Sequence, residues 1–223
     1  MHVRWRGLEL PASVILEEKS STETFGRFIV EPFERGFGTT IGNSLRRILL
    51  STIEGSSITS IRVKGAEHEF CTIEGVQQDM VDIVLNVKGL VVDIDSDEPK
   101  VLRLSATGPG EVTADLIESD TSVTVYNPDH VIATLTGNID FEMELTIERG
   151  RGYVPAAEQY ATKDEQIIGE LPIDAVFSPV QRVRYRVENT RVGQQTNFDR
   201  LILDIWTDGT VSPEMCLVES AKI

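Results

Sequence analysis

The sequence predicts an α+β fold, with an α+β body interrupted by an inserted, mostly antiparallel β-rich lobe. Three observations carry this prediction. Much of the chain alternates apolar and polar residues with period two, the mark of strands with one buried face. Helical periodicity is confined to a few places. The elements also run strand, helix, a long mostly β middle, then strands and a helix again, so one kind of lobe encloses the other.

Composition narrows the classes of function. The 223 residues suffice for one large domain or two small ones. A formal net charge of −15, from 36 acidic and 21 basic side chains, repels phosphate backbones, so no direct DNA binding is expected. No apolar run approaches the length of a bilayer span, and the opening MHVRWRGLELP lacks the apolar stretch of a secretory signal. The expected setting is cytoplasmic, with no membrane partner.

In chain order, the first strong feature is ERGFGTTIGNSLRRILLST, from Glu34 to Thr52. Gly36, Gly38 and Gly42 are spaced G-x-G-x-x-x-G. A dinucleotide fingerprint needs G-x-G-x-x-G, and a P-loop needs a lysine and a Ser or Thr where Asn43 and Ser44 stand. A nucleotide-binding enzyme using the Gly36–Gly42 loop is therefore kept only as the alternative reading. Otherwise the glycines permit a tight turn and close backbone packing at the start of a helix. Along that helix Ile41, Leu45, Ile48 and Leu49 share one stripe, a core face, while Asn43, Arg47 and Leu50 lie opposite with Arg46 beside them. Arginine mixed with leucine suits either a partner surface or a solvated outer face.

The strand SIRVKG follows, and then HEFCTIEGVQQD. HEFCT opens like a zincin helix but has Thr72 where the second histidine belongs, and His68 with Cys71 makes only half of a tetrahedral site. Cys71 and Cys216 belong to no CxxC, and none of His2, His68 and His130 has a local partner with which it would make a nucleophile–base pair. No metal, cofactor or catalytic set is expected. From Gly75 to Lys88, Val76, Met80, Ile83, Val84 and Val87 recur at helical spacing, opposite Gln77, Asp79 and Asp82.

The β middle comprises GLVVDID, KVLRLSA and SVTVYN, separated by the turn-rich DSDEPK, TGPGE and YNPDH. Its cleanest strand is IDFEMELTIE, with Ile139, Phe141, Met143, Leu145 and Ile147 on one side and Asp140, Glu142, Glu144 and Glu148 on the other. In RGRGYVPA, Arg149 and Arg151 are expected to pair with a protein partner's carboxylates rather than with phosphate. ATKDEQIIGE reads as a polar loop. RVRYRV sets Val183, Tyr185 and Val187 against Arg182, Arg184 and Arg186, a solvated or salt-bridged sheet face. LILDIW is another strand. The last helix starts with Ser212 as N-cap, Pro213 at the first helical position and Glu214 in the first turn. A helix of about ten residues is marginal alone, so this end is expected to continue or to lean on packing.

EPFERGFGTTIGNSLRRILLST, HEFCTIEGVQQD, LNVKGL, RGRGYVPA and DAVFSPVQRVRYRVENTRVGQQTNFDRLILDIWTDGT, in this order, resemble the N-terminal domain of the bacterial RNA polymerase alpha subunit. The resemblance implies two lobes: a discontinuous α+β dimerisation lobe, residues 1–54 and 180–223, and an inserted β-rich lobe, residues 55–179. It implies a non-catalytic scaffold that forms a homodimer and nucleates assembly by binding the beta and beta-prime subunits, with no cofactor of its own. By the same resemblance, Arg46, Arg47, His68, Glu69, Thr72, Glu74 and Gly75 are expected to contact beta, and Lys88 and Ile173 beta-prime. Phe37, Ile41, Leu45, Ile48, Leu49 and Leu50 are expected in the dimer interface or the core beneath it. Ile73 departs from the family, standing where a charged residue is more familiar. The linker and C-terminal domain that contact promoter DNA in the family are not in the sequence.

Overall fold

The computed structural model describes residues 9–118, 120–162 and 169–223. In chain order the elements are β1 (Val14–Leu16), β2 (Phe25–Phe33), α1 (Phe37–Ser51), β3 (Glu54–Val63), α2 (Met80–Lys88), β4 (Val92–Ile94) and β5 (Lys100–Thr107). Next come β6 (Gly110–Thr113), the 3-10 turn Ala114–Leu116, β7 (Val123–Val125), β8 (Val131–Leu135), β9 (Asp140–Arg151), β10 (Tyr153–Val154) and α3 (Ala156–Thr162). The chain closes with β11 (Glu170–Pro172), β12 (Ala175–Val176), β13 (Val180–Val192), β14 (Gln195–Thr207) and α4 (Pro213–Lys222). These elements form two compact units: one takes the residues up to Ile53 together with Pro179–Ile223, and the other takes Glu54–Ser178.

In the first unit the antiparallel sheet runs β1-β2-β14-β13. One face of this sheet packs α1 and α4 over a core of Phe28, Leu49, Ile53, Val180, Val183, Leu203, Ile205 and Cys216. The long β13–β14 hairpin is registered from Arg182↔Trp206 to Thr190↔Phe198; β13 turns alternate side chains inward, whereas β14, an inner strand between β2 and β13, is buried at most positions from Phe198 to Thr207. α4 starts as its sequence predicts: Pro213 occupies the first turn and the Ser212 side chain accepts the Met215 amide at 3.3 Å.

In the second unit the antiparallel sheet runs β11-β3-β9-β5, with the small pairs β4–β7, β6–β8 and β10–β12 around it. Phe141, Met143, Leu145 and Ile147 of β9 are all buried, as the alternation of IDFEMELTIE requires. Met80, Ile83 and Val87, all fully buried, seal α2 to this core.

α2 is shorter than its periodicity suggests, because it begins at Met80 and not at Gly75. Gly75 takes φ +83, and residues 75–78 lie against β8, with the Gln77 amide donating to Thr134 O at 2.9 Å and the Thr136 amide to Gly75 O at 2.8 Å. Backbone bonding there goes sideways instead of along a helix. Asp79 is the N-cap and accepts the Asp82 amide at 2.8 Å. Of the polar loop ATKDEQIIGE, residues 163–168 lie outside the described residues, and α3 occupies the stretch before them.

Candidate functional site

The glycine stretch is mostly helix. Only Gly36 precedes α1, turning the chain at φ +89, while Gly38 and Gly42 lie inside the helix and are buried. The Gly36 and Gly38 amides both donate to Asp199 Oδ2, at 2.8 and 3.2 Å. Those amides are what a phosphate would need at a helix N-terminus, and a carboxylate of the chain itself fills the place. Gly38 and Gly42 bring the helix backbone onto β13 and β14, where their positions face Val187, Asp199, Tyr185 and Leu201.

This packing corrects the predicted face of α1. Its buried seam is Gly38, Gly42 and Leu49, with Leu45 packed on the core beside them, while Ile41 and Ile48 are only half-buried on the flank. Phe37, Arg46, Arg47 and Leu50 are exposed. Among the described residues Arg46 and Arg47 have no ion-pair partner. α4 lies beside α1 and exposes Met215 and Val218. The first unit thus presents two neighbouring helices whose outward faces mix apolar side chains with arginine.

In the second unit, the segment from His68 to Gly75 is shaped by its anchors. Cys71 O accepts the Met80 amide at 3.2 Å, Thr72 bridges to Asp79, and Gly75 rests on Ile139. Ile73 turns inward against the core. His68, Glu69, Thr72 and Glu74 are exposed as a result, and Phe70 is 77% exposed. Phe70 was not singled out from the sequence; its only signal was an aromatic set among charged neighbours. The Cys71 thiol lies 2.9 Å from the His68 carbonyl oxygen, so the HxxC spacing serves a turn. Among the described residues no group of three or more His, Cys, Asp and Glu side chains is arranged to hold a metal ion.

Lys88 is tied to the residue that follows Ile173. The Ile173 side chain is buried at 1% exposure, so it supports the surface from below. The partner of Lys88 is the half-buried neighbour Asp174, whose Oδ2 receives the Lys88 ammonium at 2.9 Å while Oδ1 accepts the Ala156 amide at 3.0 Å. The amide first, then Lys88, hold the Asp174 carboxyl below its ordinary range. Tyr153 and Val176, paired across β10 and β12, extend this surface as exposed apolar side chains. Val81 and Leu85 form an exposed stripe on α2.

The arginines of RGRGYVPA find carboxylates within the chain. Arg151 pairs with Glu54 through Nε at 2.9 Å and through Nη2, and Arg149 approaches Glu54 and Asp97 at 4.0 Å. No helix among the described residues is long and apolar enough to cross a membrane.

Fold and surfaces together define a two-unit α+β protein that exposes apolar side chains on α1, α2, α4 and the β10–β12 pair. A family model described as RNA polymerase Rpb3/RpoA insert domain matches residues 60–178, nearly the whole second unit. The chain is 55% identical over 223 residues to DNA-directed RNA polymerase subunit alpha of Rhodopirellula baltica, spanning all of this chain and 67% of that relative. It is 52% identical over 206 residues to the subunit of the same name from Bacillus velezensis, covering 92% of this chain and 65% of the relative. With the Geobacter metallireducens subunit alpha it shares 45% over 224 residues, 100% of this chain and 65% of the relative. The chain thus spans about two thirds of the length of these curated relatives. It belongs to the bacterial DNA-directed RNA polymerase alpha subunit family, and the matching part is that family's N-terminal domain.

Proposed function

We propose that the chain is a non-catalytic scaffold of DNA-directed RNA polymerase, pairing with a second copy and capturing the beta and beta-prime subunits. The observation that carries this reading is the outward face of α1. A helix seated by Gly38, Gly42 and Leu49 leaves Phe37, Arg46, Arg47 and Leu50 in the open, and α4 adds Met215 and Val218 beside it. Exposed apolar groups clustered on adjacent helices favour burial against another protein. The dimer surface is assigned to the apolar side chains Phe37, Ile41, Ile48 and Leu50, with Leu45 and Leu49 beneath.

Beta capture is assigned to Arg46 and Arg47 in the first unit and to His68, Glu69, Thr72, Glu74 and Gly75 in the second. Phe70 joins this set as an aromatic anchor, since aromatic and arginine side chains supply most of the affinity of such interfaces. Beta-prime capture is assigned to Lys88 with Asp174, on the support of Ile173.

A pull-down with purified beta subunit tests the reading. Arg47→Ala should weaken capture by about 2 kcal/mol, roughly thirtyfold, while light scattering still reports a dimer. A strict monomer at micromolar concentration, or unchanged capture by Arg47→Ala, would count against the assignment.

A further inference from the structure

In the first unit the odd positions of β13 face α1, where Tyr185 meets Gly42 and Val187 meets Gly38. The even positions, Arg182, Arg184 and Arg186, stand on the opposite face, and all three are exposed. Register gives them Trp206, Asp204 and Ile202 as neighbours on β14. Only Asp204 could neutralise an arginine, and it is already held: Arg27 of β2 donates to it from Nε at 2.6 Å and from Nη2 at 3.3 Å. Arg182 lies over Trp206, its guanidinium 4.8 Å from the ring centroid. Arg184 and Arg186 have neither ion pair nor hydrogen bond among the described residues. In a chain with 36 acidic and 21 basic side chains, carboxylates are in surplus, yet along β13 this face offers one, Glu188, at the far end of the row and opposite Arg200. β13 is also the end strand of its sheet, so among the described residues its outer edge pairs with no strand.

We propose that this edge takes an extended acidic segment of a partner protein, added as a strand beside β13 with Asp or Glu at alternate positions. Residues two apart on a strand share a face and lie about 7 Å apart, so alternate carboxylates come into step with Arg184 and Arg186. Directly opposed side chains across such a pair have Cβ atoms about 5 Å apart, within reach of guanidinium–carboxylate bonding. The backbone edge supplies affinity and the arginine row supplies the choice of sequence. Single-stranded nucleic acid fits less well, because it offers no amide–carbonyl ladder for the edge and meets the net charge of −15. The proposal rests on this sheet alone and does not depend on the polymerase reading.

The test uses the 223-residue chain at low ionic strength with three labelled probes: a short peptide alternating Glu and Thr, a peptide of the same composition with the glutamates in one block, and an oligothymidylate of matching charge. Fluorescence anisotropy should show saturable binding of the alternating peptide, about tenfold tighter than the blocked one. Joint Arg184→Glu and Arg186→Glu substitution should remove that preference with circular dichroism unchanged. If that pair of charge reversals disturbs folding, Arg184→Gln with Arg186→Gln should lose the same preference. Equal binding of the two peptides, stronger binding of the oligothymidylate, or full binding by the folded double variant would overturn the proposal. So would no saturable binding at all, in which case the arginines guard an open edge.

Discussion

A Cβ at Gly42 would stand 2.7 Å from Tyr185 Cδ2 and 2.9 Å from Leu201 Cδ1, closer than side-chain carbons pack. Two interior glycines cost α1 roughly 2 kcal/mol of helix propensity relative to alanine, and close approach to β13 and β14 is what offsets it. Gly42→Val should therefore destabilise the first unit by about 1–3 kcal/mol through overpacking, despite valine's better helix propensity. Thr39→Ala, on the exposed face of the same helix, should change it by less than about 0.5 kcal/mol. Urea unfolding of the two variants measures the difference, and equal midpoints would show that the helix is not seated on its glycines. Cys216 makes a second argument from one residue. Burial, and then the charge of Asp208, push its thiol from 9.0 up to about 11. A pKa raised by folding means that the folded state is favoured in full below the unfolded value and loses that contribution as pH rises through the folded one. Stability of the first unit should fall between about pH 9 and 11, and Cys216→Ala should flatten that part of the curve.

At the scale of elements, the β10–β12 pair and α3 are tied to α2 by Asp174, which accepts from Ala156 and Lys88 at once. Its carboxyl is held below the ordinary range, first by the amide and then by the ammonium. The sign is opposite to that of the thiol: the contribution is present above the unfolded carboxylate value, about 4, and is lost as pH falls through the lower folded value. Hydrogen exchange at the Ala156 amide should quicken on acidification beyond its intrinsic trend, and Asp174→Asn should abolish the extra pH dependence. Strands such as β9 and β13 were legible because alternation fixes which side chains are buried. α4 was legible because Ser212 and Pro213 are local signals. Local pattern failed where long-range bonding decides. Val76 sits at helical spacing, but the backbone around it bonds β8. The seam of α1 was misplaced because hydrophobicity gives glycine no weight, whereas packing puts Gly38 and Gly42 at its centre. The same limit applied to the site. Arg46 and Arg47 could be placed on an outward face, but Asp199 is brought in from a distant strand and Asp174 from the link between β11 and β12.

Over the whole molecule, the two cores have no buried side chain in common among the described residues. One gathers around Leu49, Leu203, Ile205 and Cys216; the other gathers around α2 and the β3-β9-β5 sheet, with Met143 and Leu145 at its centre. Each core has its own antiparallel sheet, so cooperativity should be strong within a unit and limited between units. Cysteine placement allows a direct measurement, because Cys216 is buried in the first core and should react with a thiol reagent only when that unit opens. Leu145→Ala should cost the second unit about 2–5 kcal/mol and shift its transition in far-ultraviolet circular dichroism without changing the urea dependence of Cys216 labelling. Gly42→Val should do the reverse, advancing Cys216 labelling while leaving the other transition in place. A single transition that both variants move by the same amount would mean that the chain unfolds as one body, and the separation of the cores would then have no energetic counterpart.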